Sequence, residues 1–193
     1  MTQKTYQLHP VEFAEYLIGC LIQVGECSGK IVEAEAYTDA PEDYSSHAHT
    51  RQKSAGEIMN TAGRVYVYSI HAGLATNITT DPENTGAVLI RAIEPLQSIS
   101  KMIDRRSRKD TKVSKTWNSD EISTLYSLTD GPSKLSQALG IRKEWNNAPV
   151  GEHINLIEKT ERPNISNSPR IGISSSRDLP WRFYDQNSPF VSR

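Results

Sequence analysis

The chain has 193 residues, of which 36% are hydrophobic and 23% charged, and its formal net charge is −1. This size and composition predict one globular domain, residues 1–193, with room for a sizeable core. The near-neutral balance excludes a uniformly basic surface, so any polyanion must be bound by a local cluster of cations. No apolar run approaches the roughly 20 residues that cross a bilayer, and the first residues do not form a secretory signal. We therefore expect a cytoplasmic protein without membrane contacts.

The two cysteines, Cys20 and Cys27, do not have the spacing of a metal site. Cys20 lies within an apolar run, so we expect it to be a buried and inert thiol. Free thiols are typical of proteins in a reducing compartment. Because no cluster of ligand residues stands out in the sequence, we expect neither a metal ion nor an organic cofactor.

Local signals divide the chain into short elements. Residues 1–9 are expected to be loosely ordered. A first helix is predicted between Pro10, which suits the first turn, and Gly19, which suits the residue after the last turn. A turn at 26–29 is predicted to join the first two strands as a hairpin. Runs rich in β-branched and aromatic residues predict strands at 20–24, 30–37, 65–70, 77–80, 86–93, 169–173, 181–184 and 190–192.

The remaining segments are predicted as helices and loops. Residues 98–108 and 131–139 are predicted helices, and the polar stretch 108–124 is expected to be mobile. Residues 38–62 predict a long surface loop with a short helix at 54–60, and loops of this length are often functional. Because the strands do not alternate regularly with helices, the pattern favours an α+β fold with a largely antiparallel sheet.

The strand at 30–37 carries two carboxylates. Side chains alternate between the two faces of a strand, so Glu33 and Glu35 are predicted to share a face. Ile31 and Tyr37 are predicted on that face as well. Taken alone, such a segment is more commonly a half-exposed strand with surface glutamates. The alternative is a carboxylate that faces a cleft beside an aromatic ring.

Two further strands carry groups that suit a binding site. Tyr66 and Tyr68 alternate with valines and are predicted to share one face, where packing with a bonded hydroxyl is the usual role. Arg91 lies among apolar residues, so we expect it to be partly buried and to need an anionic partner. A structural ion pair and a role in a site are equally compatible with its position.

A cluster at 101–115 holds seven basic residues against two acidic ones. Its members, Arg105 and Arg106 among them, could contact nucleic-acid phosphates, or could equally form a solvated helix face followed by a mobile loop. Ser133 lies at the start of a predicted helix, where capping is the commoner role and free amides could instead hold a phosphate. Lys134, the next residue, is a further candidate for a phosphate contact.

A series of sequence blocks begins near Val11 and continues to the C-terminus. The blocks are AEYLIG at 14–19, EAEAY at 33–37, PED at 41–43 with His47, VYVY at 65–68, LIRAIEP at 89–95, DGPSKLSQAL at 130–139, RIGI at 170–173 and PWRFY at 180–184. Each block alone is a weak signal, but the series in this order and spacing is hard to obtain by chance. Together the blocks resemble the alkyladenine type of DNA-3-methyladenine glycosylase.

The resemblance implies a curved, largely antiparallel sheet with surrounding helices, and an enzyme that hydrolyses the glycosidic bond of damaged purines in double-stranded DNA. Glu35 matches the carboxylate that activates the attacking water. Arg91 matches the arginine that helps to hold this water, together with a main-chain carbonyl at the position of Ile171. Glu33 is then a supporting or structural residue.

The resemblance also implies a pocket for a base that is flipped out of the duplex. Tyr37, His47 and Tyr68 match the residues that sandwich this base, and aromatic faces favour electron-poor alkylated purines. Asn77 matches the asparagine that crowds the exocyclic amine of normal guanine.

Two segments depart from the family pattern. The family has an aromatic plug that wedges into the gap left by the flipped base. This chain has HAG at 71–73 there, and His71 is the nearest candidate for the wedge. The family's RN pair, which faces a phosphate, is replaced by Ser54 and Ala55.

The expected substrates are 3-methyladenine and 7-methylguanine, with deaminated or etheno purines as further candidates. Since no lysine falls in the matched catalytic blocks, we expect a simple hydrolase and not a Schiff-base lyase. We also expect the enzyme to be a monomer and to start base excision repair. One alternative is an inactive nucleic-acid-binding module on the same fold, but a pure binder has no need of Glu35 and Arg91. Another is a hydrolase of small nucleosides, which would not need the basic segment for phosphate contacts.

Overall fold

Extended strands form the centre of the structure. The computed structural model describes residues 1–71, 73–80, 85–107, 125–161 and 163–192, and the expected mobile loop at 108–124 lies outside them. The described strands are Leu21–Val24 (β1), Cys27–Tyr37 (β2), Val65–Ile70 (β3), Gly73–Thr80 (β4), Gly86–Gln97 (β5), Asn155–Ile157 (β6), Ile165–Ser168 (β7) and Arg182–Asp185 (β8). The described α-helices are Pro10–Leu17 (α1), His47–Thr50 (α2), Gln52–Met59 (α3), Ile99–Ser107 (α4) and Pro132–Leu139 (α5).

One sheet contains all of these strands, and each strand pair in it is antiparallel. The strand order is β3-β4-β5-β2-β1-β6. The long strand β2 is its centre, because β5 pairs along one edge while β1 and β8 share the other edge, and β7 pairs with β8. The sheet is curled and helices pack on it. This confirms the predicted α+β fold with a curved, largely antiparallel sheet.

The two faces of the sheet bury different clusters of side chains. On one face, α1 buries Phe13 and Leu17 against the main core, to which β5 contributes Ile90. α4 packs against α5, which also packs on β4 and β5. On the other face, α2 and α3 contribute to a smaller cluster, which includes Met59 of α3 and Tyr66 of β3. The sheet therefore separates a largely apolar core from a mixed aromatic and polar region.

Two bulges interrupt the pairing of β2 with β5 at the charged residues. Val32 is an extra residue on β2, and Arg91 is an extra residue on β5. A bulge changes the face on which the following side chains lie. Ile31 therefore packs in the main core with Ala34, although strict alternation predicted it on the face of Glu33. That prediction was wrong because a bulge depends on the partner strand.

Other segments also differ from their predictions. In residues 1–9, which were expected to be loosely ordered, Gln3–Gln7 forms a 3-10 helix and the Thr80 hydroxyl donates to the Tyr6 carbonyl at 2.9 Å. The loop at 38–62 contains α2 as well as the predicted short helix, which is α3. The turn predicted at 26–29 is shorter, because β2 begins at Cys27. Residues 169–173 and 190–192 form no strand, and β7 lies just before the first of them, where it pairs with β8.

Replacing Phe13 by alanine should destabilise the protein by about 3–5 kcal/mol, because the fully buried ring would leave a cavity between α1 and the sheet. Urea denaturation followed by circular dichroism measures this free energy of unfolding. The matched control is Glu15→Ala on the exposed side of the same helix, which should lie within about 0.5 kcal/mol of wild type. Equal effects of the two substitutions would contradict the buried face assigned to α1.

Candidate active site

A cavity of about 600 Å³ opens on the face of the sheet that carries the smaller cluster. Sites for small molecules commonly occupy roughly 300–1,000 Å³. Its walls come from β2, β3, β4, β5, α2 and the segment 171–175. Residues from distant parts of the sequence are thus brought together. The wall includes the predicted residues Tyr37, His47, Tyr68, Asn77, Arg91 and Ile171.

Glu35 lies directly behind this wall, and its side chain is 0% exposed. The Tyr37 hydroxyl donates to its Oε2 at 2.9 Å, and the Ile171 amide donates to its Oε1 at 2.8 Å. Arg91 Nη1 lies 3.4 Å from each oxygen. Burial and, next, the charge of Glu35 raise the pKa of Tyr37 well above its ordinary value, so the hydroxyl keeps the proton that it donates. One layer of donor groups therefore separates the carboxylate from the cavity.

Arg91 connects the cavity to a second buried carboxylate. Its side chain is 11% exposed, and Nε donates to Glu33 Oε1 at 3.1 Å while Nη1 faces Glu35. An arginine can serve two carboxylates in this way because its N–H groups point in fixed, different directions. The ion pair that the sequence left as one alternative is therefore present, and Arg91 also lines the cavity.

Glu33 lies outside the cavity wall, fully buried, and accepts further hydrogen bonds besides that from Arg91. Arg182 Nε donates to its Oε1 at 2.6 Å. The Ser192 amide donates to Oε2 at 2.7 Å and the Ser192 hydroxyl to Oε1 at 2.8 Å. The alternative of surface glutamates is thus wrong for Glu33 and for Glu35. The contacts of Arg182 and Ser192 with Glu33 were not predicted from the sequence. The place of Arg182 in the PWRFY block could have indicated it as a candidate site residue.

Three aromatic rings form one side of the cavity. The rings of His47 and Tyr68 have centroids 4.3 Å apart, and those of Tyr66 and Tyr68 are 5.2 Å apart. His47 Nδ1 is hydrogen-bonded to the Tyr66 hydroxyl at 2.8 Å. Burial and, to a smaller extent, the charge of Arg51 lower the pKa of His47 to about 4, while burial raises that of Tyr66 to about 12. These rings are therefore uncharged at neutral pH.

Asn77 is buried in the cavity wall on β4. It pairs across the sheet with Tyr66 on one side and with Leu89 on the other. Its side-chain amide donates to the Tyr66 carbonyl at 3.1 Å. This bond fixes the orientation of the amide group at the cavity.

A second buried ion pair fixes the segment that carries Ile171. Arg170 Nη1 and Nη2 donate to the two oxygens of Asp43 at 2.6 and 2.9 Å, and neither side chain is exposed. The guanidinium also lies over the rings of Tyr37 at 4.6 Å and Trp181 at 5.2 Å. Because Arg170 precedes Ile171, this pair holds the amide that donates to Glu35. Asp43 and Arg170 lie in the PED and RIGI blocks of the sequence, but neither was predicted to have a role.

The three cations predicted to contact phosphates lie outside the cavity wall. Arg105 donates to the Ala138 carbonyl at 2.9 Å, and Arg106 donates to Gln137 Oε1 at 2.9 Å, so both fasten α4 to α5. Lys134 forms an ion pair with Asp130 at 2.7 Å. Ser133 does not cap α5, because Gly131 is the N-cap residue and no side chain donates or accepts there.

His71 is exposed in the turn between β3 and β4. Gly73 follows this turn with a φ of +150°, and a Cβ at this position would lie 2.5 Å from Ser133 Oγ. The turn therefore needs glycine where it approaches α5. Ile70, on the other side of the turn, lines the cavity. His71 thus lies beside the cavity, and its role as a wedge stays a prediction.

No helix in the described part of the chain is long and apolar enough to cross a membrane. Within the same residues, no group of three or more His, Cys, Asp or Glu side chains is arranged to hold a metal ion.

An aromatic cavity with Arg91 in its wall and Glu35 directly behind that wall suits a hydrolase that acts on a flat, ring-bearing substrate. The family model of methylpurine-DNA glycosylases matches residues 4–189. Because the match covers nearly the whole chain, the protein belongs to the methylpurine-DNA glycosylase family. It is thus a DNA glycosylase, a hydrolase of N-glycosidic bonds that acts in DNA repair, as the sequence blocks implied.

Relatives of similar length agree with this assignment. A protein of Bacillus subtilis is 37% identical, with the alignment covering 97% of this chain and 94% of the relative. One from Agrobacterium fabrum is 38% identical, covering 99% and 91%, and one from Methanoculleus marisnigri is 35% identical, covering 97% and 96%. All three are provisionally named 3-methyladenine DNA glycosylases.

Asp43→Asn should lower the free energy of unfolding at pH 7 by about 3–5 kcal/mol, because it leaves Arg170 buried without its counterion. Burial alone would raise the pKa of Asp43, but hydrogen bonds from Arg170 and Ser45 outweigh it and lower the pKa. A lowered folded-state pKa stabilises the fold above the unfolded value, roughly 3.9, and this stabilisation is lost as the pH falls through the folded-state value. The difference in free energy of unfolding between wild type and Asp43→Asn should therefore become smaller below about pH 4.

Chemical denaturation at several pH values between 3 and 7 measures this difference. The matched control is Glu42→Gln, a neighbouring acid whose side chain is 55% exposed and which should change stability by no more than about 0.5 kcal/mol. If the difference in free energy of unfolding between wild type and Asp43→Asn stays constant down to pH 3, the pKa of Asp43 is not lowered by folding.

Proposed function

We propose that this protein excises 3-methyladenine and 7-methylguanine from double-stranded DNA, with deaminated and etheno purines as further substrates, and that Glu35 activates the attacking water. The observation that carries the proposal is the pairing of Glu35, directly behind an aromatic cavity, with Arg91 in the wall of that cavity. The enzyme acts as a monomer and needs no cofactor, since water is the only co-reactant.

The cavity supports the choice of substrate. A base within a duplex cannot reach a buried carboxylate, so it must be flipped out of the helix. The rings of Tyr37, His47 and Tyr68 then offer faces for stacking, which favours electron-poor alkylated purines. Because its pKa is about 4, His47 is neutral at physiological pH and does not repel a purine that carries a positive charge. Asn77 would crowd the exocyclic amine of guanine.

The chemistry is a displacement at the anomeric carbon of the sugar. As the bond to the purine nitrogen breaks, its electron pair leaves with the base and the sugar gains oxocarbenium character. The Glu35 carboxylate stabilises this charge and takes a proton from the water that forms the new C–O bond. Arg91 and the Ile171 carbonyl hold the water. In the free enzyme Glu35 accepts from Tyr37 and Ile171, and such contacts commonly rearrange when substrate binds.

DNA would be held around the cavity mouth. His71, exposed beside the cavity, is proposed to fill the gap that the flipped base leaves. Lys134 in the first turn of α5 is the better candidate for a phosphate contact, since helix N-termini favour anions. Arg105 and Arg106 are engaged with α5, so any contribution they make is a more general attraction for the DNA backbone.

Glu35→Gln should slow base excision by about 10²- to 10⁴-fold, because the amide cannot accept the proton of water. The assay uses duplexes with 3-methyladenine, 7-methylguanine or ethenoadenine and measures the released base by chromatography. The matched control is Glu57→Gln, an exposed acid on α3, which should keep the wild-type rate. Wild-type activity in Glu35→Gln would disprove the role of Glu35. Failure of the wild-type enzyme to release any of these bases would disprove the proposed substrates.

Tyr68→Leu should reduce excision by about 5- to 150-fold, because stacking of a base on an aromatic ring contributes about 1–3 kcal/mol. Tyr68→Phe is the control, since it keeps the ring and removes only the hydroxyl, and it should retain most of the activity. Single-turnover rates on the same duplexes give the comparison. If the leucine variant is as active as the phenylalanine variant, Tyr68 does not stack on the base.

A further inference from the structure

A buried ionic cluster on β2, β5 and β8 holds the guanidinium that faces Glu35. It contains two carboxylates, Glu33 and Glu35, and two guanidinium groups, Arg91 and Arg182. Ser192 joins it from the chain beyond β8 and is buried with it. The four charges balance, as burial of ions requires.

All three nitrogens of the Arg91 guanidinium have partners in this cluster. Nε donates to Glu33 Oε1 at 3.1 Å, Nη2 donates to Ser192 Oγ at 3.3 Å, and Nη1 faces Glu35 at 3.4 Å. The two contacts away from Glu35 are the shorter ones. Because the guanidinium is planar and rigid, the contacts with Glu33 and Ser192 determine where Nη1 points.

Glu33 is itself fixed by groups that do not touch the cavity. Its oxygens accept from Arg182 Nε at 2.6 Å and from the amide and hydroxyl of Ser192 at 2.7 and 2.8 Å. Arg182 Nη2 also donates to the Ser192 carbonyl at 3.2 Å. The side chain of Glu33 therefore has a single orientation, and because it is fully buried and does not line the cavity, it is unsuited to accept a proton from water.

We propose that Glu33 and Ser192 are positioning residues for the glycosylase reaction: they hold Arg91 at the angle at which it can serve Glu35 and the attacking water. This inference rests on the proposed function of Glu35 and Arg91. It gives the segment after β8 a part in the reaction although it does not line the cavity. A displacement of a catalytic group by about 1 Å can cost up to about 100-fold in rate, so the effect is measurable.

A double-mutant cycle separates positioning from general structural support. Glu33→Gln should lower the single-turnover excision rate by about 10- to 100-fold, while the dissociation constant for duplex DNA changes less than about twofold, since the side chain is fully buried and lies outside the cavity wall. In an Arg91→Gln background, Glu33→Gln should add almost no further loss, because no guanidinium remains to be positioned. Losses that multiply in the double variant would overturn the proposal.

Ser192→Ala extends the test with a neutral change that leaves the carboxylates and guanidinium groups in place. It should slow excision severalfold, and this loss should also disappear in the Arg91→Gln background. Thermal melting checks that each variant folds, and if Glu33→Gln does not fold, the Ser192→Ala cycle decides. A wild-type rate in Ser192→Ala would overturn the role of Ser192.

The matched control is Glu94→Gln, which breaks the ion pair of Glu94 with Lys30 between the same two strands at 2.6 Å. It should leave the rate within about twofold of wild type, because surface ion pairs contribute little. Glu35→Gln in the same assay separates the two proposals. Full activity in Glu35→Gln would refute the proposed function, whereas loss in Glu35→Gln with multiplicative losses in the Glu33 cycle would refute the positioning role alone.

Discussion

The structure depends on the burial of two carboxylates at the centre of its sheet. Glu33 and Glu35 are both excluded from solvent, and removing an ion from water costs several kcal/mol unless other groups replace its hydration. Arg91 and Arg182 replace it here, and they come from two different strands that flank β2. The three strands must therefore meet in one register. The bulges at Val32 and Arg91 are the adjustment that brings the charges together in this register.

This constraint also explains why the site lies where it does. The bulges keep Ile31 and Ile90 in the apolar core while the carboxylates face the opposite side of the sheet. On that side β3, which is separated from β2 by β4 and β5, contributes Tyr66 and Tyr68, whose rings are uncharged and pack against His47. A neutral aromatic wall beside a balanced ionic cluster can accept a cationic base without strong repulsion. The cluster and the cavity are therefore two parts of one arrangement.

The parts of the structure that sequence analysis predicted are those with strong local signals. The helix after Pro10, the paired strands around Glu35 and the tyrosine strand at 65–70 follow from turn residues and alternation, and the ordered blocks identified the family. The face of Ile31 could not be predicted, because a bulge depends on a partner strand distant in sequence. Ser192 was missed for a similar reason, since it lies 159 residues from Glu33. The basic pattern at 101–115 did not reveal that Arg105 and Arg106 serve helix packing.

Each group that donates a hydrogen bond to Glu35 is also held in place by contacts with other residues. Asp43 and Arg170 fix the segment of the Ile171 amide, Glu33 and Ser192 hold Arg91, and Arg170 lies over the ring of Tyr37. Donors that are anchored elsewhere do not have to reorganise when charge develops nearby, which is the condition for strong electrostatic stabilisation. In the proposed reaction, Arg91 and the Ile171 amide would therefore keep their positions beside Glu35. Under the proposed function, the ability of Glu35 to act on water depends on the two buried ion pairs on either side of it, Glu33–Arg91 and Asp43–Arg170.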